Sequence, residues 1–290
     1  MEPLSKSALS LAVIFFAAVL ACLAQRPSNA QSPSPTSDRA LFAQSAAETL
    51  QHDFPDQDIS YLLFDARTES LLASRWENAD RPIPLGSLVK PFTALAYAEH
   101  HDFRYPAYIC RGAASQCWQP KPHGSLEIVA ALAVSCNSYF RQMAATIQPE
   151  QMRSTAARFG LDLPPAGATS PSLMGLGDEW LISPQHMAGA YLELVRRRDQ
   201  PGVAQILDGM RQAAARGTGA PVNASLKHTS ALVKTGTAVC RHEHRAPGDG
   251  FVIALVPASQ PELLLMIRVH GVPGASAATT AGRMLARLEQ

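Results

Sequence analysis

The sequence predicts an α+β fold: a five-stranded antiparallel sheet flanked by terminal helices, with a mostly helical lobe inserted between strands two and three. Three observations predict it. Strand-like stretches appear near both ends of the chain, at 58–76 and again from 231 to 270. Residues 87 to about 216 read instead as a succession of helical patterns. One helical pattern precedes the first strands and another follows the last, so both termini can cover the sheet. With 290 residues and 47% hydrophobic content the chain can bury a sizeable core.

The elements follow in order. Met1 to Ser10 carries Lys6, and Leu11 to Ala24 is apolar apart from Cys22. This is the layout of an export signal. It is either cleaved at Ser28-Asn29-Ala30, lipidated at Cys22, or retained as a membrane anchor. Each outcome puts the bulk of the chain outside the cytoplasm, in a periplasm or on the outer face of the membrane. Residues 1–24 are thus read as signal or anchor and 25–37 as a Pro/Ser-rich linker. The catalytic domain is read as 38–290, with the lobe at about 87–216. A helix is expected from Asp38, then a hairpin from Asp58–Thr68 and Leu71–Trp76. Four helical patterns follow, starting near Ser87, Ser125, Pro149 and Ser183, with Gly160 as a C-cap. Strands are expected at 231–239, 250–257 and 262–270, and a closing helix at 275–288.

Net charge is +1, so no strong field exists for nucleic acid. Arg196-Arg197-Arg198 at a helix end suits the helix dipole. Arg241-His242-Glu243-His244-Arg245 has metal-like composition but reads as a solvated hairpin loop. Beyond Cys22 the cysteines are Cys110, Cys117, Cys136 and Cys240. In an exported chain they can form disulfides, Cys110 with Cys117 being close enough to pair. Their spacing is not that of a zinc site. No metal and no cofactor is expected, and no phosphate-binding fingerprint is present.

Three short motifs carry chemistry. In PLGSLVKPFTA, Ser87 and Lys90 are three apart and share a helix face. Ser87 lies where free N–H groups and the helix dipole favour negative charge. Lys90 can act as a base if desolvation lowers its pKa. Pro91 demands a distorted or still-unpaired first turn. In HGSLEIVAALAVSCNSYF, Ser135 and Asn137 interrupt an apolar pattern at a spacing no regular helix places on one face, so a bend is expected. In SALVKTGTAV, Lys234 and Gly236 interrupt a strand, which suits the edge addition of an extended peptide.

Taken in this order, S-x-x-K, S-x-N and K-T-G resemble the signature of the serine penicillin-recognising enzymes, with Cys136 in the middle motif. The chain is similar to the penicillin-binding transpeptidases. Cys117-Trp118, His123-Gly124, GLGDEWLISPQHMAGAYLEL, Arg216-Gly217-Thr218-Gly219 and GFVIALVPASQPELLLMIRVHG extend the resemblance from about Ile59 to the C-terminus. It implies that Ser87 is the nucleophile, Lys90 its base, and Ser135 the proton relay to the leaving amine. Asn137 would bind the substrate amide, and Lys234 and Thr235, with Gly236 beside them, its carboxylate. The N–H groups of Ser87 and Thr237 would form an oxyanion hole. The implied partners are D-Ala-D-Ala peptides of peptidoglycan and β-lactams. Two alternatives stand beside the transpeptidase or carboxypeptidase reading. One is a serine β-lactamase: WLISPQH resembles the class D enzymes, in which the lysine is carbamylated. Class D, however, usually has a hydrophobic residue where Asn137 stands, and no glutamate stands in the expected surroundings for activating a deacylating water, Glu179 being a candidate in different ones. The other is a non-catalytic β-lactam or muropeptide sensor.

Overall fold

The structure, a computed structural model, describes residues 35–241 and 246–289. The signal, the residues of the linker before 35 and the His242–Arg245 stretch lie outside the described residues. The chain divides into two units, 1–41 and 42–290. Of the first, only the opening of helix α1 is described.

Helix α1 spans Pro35–Asp53. It takes in the last three residues of the Pro/Ser stretch, because a proline at the first turn lacks only an N–H that would go unpaired there. Strands β1 (Ile59–Asp65) and β2 (Leu71–Arg75) form the expected hairpin. A 3-10 turn, Gly86–Val89, leads into α2 (Lys90–Ala98). Two short strands, β3 (Tyr108–Cys110) and β4 (Gly124–Leu126), make a small separate sheet. Then come α3 (Ile128–Ala133), α4 (Asn137–Ala144), α5 (Pro149–Arg158), α6 (Ser170–Leu173) and α7 (Pro184–Arg196). Helices α8 (Val203–Arg216) and α9 (Ala220–Ser225) complete the lobe. Strands β5 (Leu232–Ala238), β6 (Asp249–Val256) and β7 (Leu263–His270) and helix α10 (Gly274–Leu288) finish the chain.

The five-stranded sheet has the order β2-β1-β7-β6-β5 and is antiparallel throughout. The two ends of the chain meet at β1 and β7, where Ile59 pairs with Val269 and Asp65 with Leu263. Tyr61, Leu63, Val252, Ala254, Leu265 and Ile267 form one face, which packs on Leu50 of α1 and on Ala277, Ala281 and Met284 of α10. Leu62, Phe64, Phe251, Ile253, Leu264 and Met266 form the other, which packs on the lobe. Both faces are covered, so β1 and β6 are buried at every residue and read as continuous apolar runs. Strand β5 is left at one edge.

Cys110 and Cys117, close enough in sequence to pair, are not joined: Cys110, Cys117 and Cys136 are free thiols. Among the described residues no helix is long and apolar enough to cross a membrane.

Candidate active site

The first motif answers the question Pro91 raised. Ser87 lies inside the 3-10 turn, whose N-cap is Leu85. It therefore caps nothing. Side chains three apart eclipse in a 3-10 turn, so Ser87 and Lys90 project from the same side. The Lys90 N–H donates to the Ser87 carbonyl, and α2 begins at Lys90. Pro91 falls in the first turn of α2, where its missing N–H costs little. The Leu88 carbonyl, the 3-10 acceptor for an N–H at position 91, instead receives the Tyr191 hydroxyl at 2.8 Å.

This turn is wedged against the sheet edge. Gly86 has φ +58°, and a Cβ there would come within 2.3 Å of the Thr237 carbonyl oxygen. A Cβ on Gly236 would meet the Leu85 oxygen at 2.6 Å. Only hydrogen at both positions lets β5 and the Ser87 turn approach so closely. Gly86→Ala is expected to lower the melting temperature and to slow any reaction at Ser87, through a strained φ and a backbone clash. Thermal melts and acylation rates check this; a variant with parental values for both would contradict the wedge.

Lys90 is fully buried. Its Nζ donates to the Asn137 Oδ1 at 2.7 Å, the Ser135 carbonyl at 2.9 Å and the Ser135 Oγ at 3.3 Å. The Phe140 ring lies 5.3 Å away. Burial pulls the Lys90 pKa from 10.5 down to about 7, against the opposing influence of the neighbouring Cys136 and Cys117 side chains. No hydrogen bond joins Ser87 to Lys90, so the expected direct base contact is not made in the free protein. In unliganded sites such bonds often form only with substrate.

The bend predicted around Ser135 is present. Helix α3 ends at Ala133 and α4 starts at Asn137. Between them Ser135 adopts φ +49°, a left-handed conformation that is strained for serine. Its Oγ accepts from Lys90 and, at 3.0 Å, from the buried Lys234 Nζ. Burial, and then the Lys90 charge, hold Lys234 well below its ordinary pKa. With both lone pairs of the Ser135 oxygen taken, its proton is free to point at a third group. Asn137 uses its carbonyl oxygen on Lys90, which leaves its amide NH2 to donate to a ligand.

The third motif differs in detail from expectation. Lys234 also donates to the Thr235 carbonyl at 2.6 Å, and the Thr235 hydroxyl donates to Thr218 at 2.6 Å. The two residues assigned to a carboxylate are therefore tied to the second motif and to Thr218. The sequence reading quoted Thr218 but gave it no role. The Thr218 N–H bonds the Ala133 carbonyl at 3.1 Å, and a Cβ on Gly217 would strike that same oxygen at 2.0 Å. Glycines on both sides of Thr218 were the available signal. Glu179 is engaged elsewhere: its Oε2 accepts from the Thr169 N–H and hydroxyl. A groove of about 710 Å³, lined by Trp76, Arg81, Ile83, Val239 and Arg268, opens beside Pro84, just before the Ser87 turn.

Comparison with known proteins bears on the family and the fold. Residues 51–288 match the family described as the penicillin binding protein transpeptidase domain. No curated protein sequence matches the chain. Among solved structures, PBP2 of Pseudomonas aeruginosa in complex with WCK 5153 is similar, with a TM-score of 0.67 and 16% identity, over 87% of this chain and 73% of that one. PBP2 of Helicobacter pylori, solved in complex with MreC, has a TM-score of 0.69 and 17% identity over 85% of this chain. This chain covers 62% of that one, under two thirds of its length. The transpeptidase domain of Burkholderia pseudomallei penicillin-binding protein 3 has a TM-score of 0.65 and 15% identity, over 91% of this chain and 96% of that one. At these identities the structural likeness speaks to the fold.

Proposed function

The chain belongs to the penicillin-binding protein transpeptidase domain family, and from that premise we propose that it is a serine acyl transferase acting on D-Ala-D-Ala stem peptides of peptidoglycan and acylated by β-lactams. The observation that carries the reading is Lys90: a fully buried lysine, brought down to about 7, one turn from Ser87 and bonded to both polar residues of the second motif. A hydrophobic residue of similar volume often serves stability as well as a buried charge does; the use that only the lysine can serve is chemical.

In this mechanism neutral Lys90 takes the proton as the Ser87 Oγ bonds to the carbonyl carbon of the penultimate D-Ala. The tetrahedral oxyanion forms at the junction of the Ser87 turn and β5, where the N–H groups of Ser87 and Thr237 are its expected donors. Ser135 passes a proton from the lysine pair to the departing amine, and the C–N bond breaks. The acyl group then moves to an acceptor amine in cross-linking, or to water in trimming. The substrate enters as an added strand beside β5, with the Asn137 NH2 on its amide oxygen. Lys234 and Thr235 remain the carboxylate's partners, substrate displacing the contacts to Ser135 and Thr218. Such a substrate lies outside the cytoplasm, in keeping with the export signal read at the N-terminus.

The test is release of D-alanine from a pentapeptide ending in D-Ala-D-Ala, with and without an added amine acceptor. Product with the acceptor incorporated indicates transpeptidation, and free tetrapeptide indicates carboxypeptidation. No release at all would overturn the proposal. The pH dependence is a second expectation. The base must be neutral, so the acylation rate should rise as pH passes through about 7 and level off above it. A stopped-flow profile flat between about pH 6 and about pH 8 would remove Lys90 from the role of base.

A further inference from the structure

We propose that Cys110, Cys117, His123 and Cys136 bind a zinc ion, and that this metal anchors the loop carrying Ser135 and Asn137. The Cys110, Cys117 and Cys136 Sγ atoms and one ring nitrogen of His123 all lie within 4.8 Å of one another. Three of the six separations match those of a tetrahedron, and the other three lie within the same 4.8 Å. Zinc with bonds of about 2.3 Å to sulfur and about 2.05 Å to nitrogen sets its ligands about 3.75 Å (S···S) and about 3.55 Å (S···N) apart. Here the Cys117 and Cys136 sulfurs are 3.7 Å apart, and the His123 Nδ1 is 3.6 Å from Cys117 and 3.4 Å from Cys110. Three thiolates and one imidazole are an ordinary structural zinc set.

Hydrogen-bond donors face two of the sulfurs. Cys136 is the N-cap of α4, and its sulfur accepts the Tyr139 N–H at 3.5 Å. The Ser115 hydroxyl reaches the Cys110 sulfur at 3.9 Å. Disulfides explain the cluster less well. Three cysteines cannot all pair with one another, and the 3.7 Å approach is far from the roughly 2.05 Å of a bond. A metal uses all four side chains. Binding is balanced by release of the thiol protons to solvent, with no change of oxidation state.

Spacing along the chain hides the site, because the ligands come from four separate places. Cys110 ends β3, Cys117 follows a 3-10 turn, His123 precedes β4 and Cys136 opens α4. Pairing of Cys110 with Gly124 across the small sheet brings the first and third together. Cys136 then ties this sheet to the second motif, since its neighbours on either side are Ser135 and Asn137. A bond to its sulfur fixes the bend that holds Ser135 in its strained conformation.

The experiment uses the full chain, purified under reducing conditions with zinc supplied. Plasma mass spectrometry should find one zinc per chain, and Co²⁺ exchange should give the intense visible bands of a tetrahedral thiolate site. Cys110→Ser and His123→Ala should each weaken zinc affinity at least about tenfold. The wild type decides the matter even where those variants fold poorly: a chelator should make Cys110, Cys117 and Cys136 alkylate, and zinc should protect them again. A reduced, zinc-treated chain that stays metal-free, or alkylation indifferent to zinc, would overturn the site. So would a disulfide among the three in protein never exposed to a reductant. These readouts do not involve acylation, so the metal site and the catalytic reading fail separately. The anchoring role is read from Ser87 acylation by a β-lactam. It should slow on chelation and recover with zinc; an unchanged rate would overturn that role.

Discussion

A Ser87→Ala chain is expected to keep its fold and to lose covalent reaction with β-lactams and D-Ala-D-Ala peptides altogether. The two halves of this expectation rest on different observations. Ser87 is within the 3-10 turn, not at its cap, and its hydroxyl makes no hydrogen bond among the described residues. Removing it should change stability by no more than about 0.5 kcal/mol. The chemical loss should be on the order of 10⁴-fold or more, as when other acyl-transferring serines are deleted. Thermal melting and single-turnover acylation measure the two separately. A marked fall in melting temperature would mean that Ser87 is structural. Retained acylation would mean that another residue is the nucleophile.

Lys90→Met is expected to trade activity for stability. The missing base should slow acylation by about 10²- to 10⁴-fold. Stability should move the other way. Lys90 titrates near 7 when folded and near 10.5 when not, so between those values the unfolded chain holds a proton that the folded chain has given up. Stability therefore rises with pH across that window, and below it the full penalty applies, on the order of 5 kcal/mol. Methionine removes the penalty but strands the Asn137 and Ser135 oxygens, a cost of about 1–3 kcal/mol for each group left unpaired. Repulsion on Lys234 is relieved as well. The two oxygens together cost about 2–6 kcal/mol against the roughly 5 relieved, so the net at pH 7 centres on a gain of about 1 kcal/mol, within a range from a loss of about 1 to a gain of about 3, and it shrinks as pH approaches 10.5. Denaturant melts of both chains at several pH values check it. A Lys90→Met chain that loses well over about 1 kcal/mol at neutral pH would mean that the lysine is held for structure and not for chemistry.

The sheet was legible because its strands are apolar runs set off by turn residues, and the sequence ranges for β5, β6 and β7 lie within one residue of the observed ones at every end. The bend at Ser135 was legible too, since Ser135 and Asn137 break an apolar pattern at a spacing no helix accommodates. What could not be read was proximity across the lobe. Strands β3 and β4 have three residues each, too few to show a period. The attachment of Lys234 to Ser135 depends on β5 lying against the lobe, and that depends on Gly236, Gly217 and Gly86, whose role appears only once the backbones meet. Cys110, Cys117, His123 and Cys136 are the extreme case: an unremarkable series along the chain, and four ligand atoms within 4.8 Å in the fold.

The central claim is that Ser87, served by Lys90 and Ser135, forms an acyl-enzyme. Time-resolved intact mass spectrometry of the chain with a chromogenic cephalosporin, followed by peptide mapping, tests it most directly. The account predicts a long-lived adduct of one acyl group per chain, located on Ser87 and absent from Ser87→Ala. Rapid release of the hydrolysed drug without an accumulating adduct would make the chain a β-lactamase, and the absence of any adduct at Ser87 would contradict the account outright.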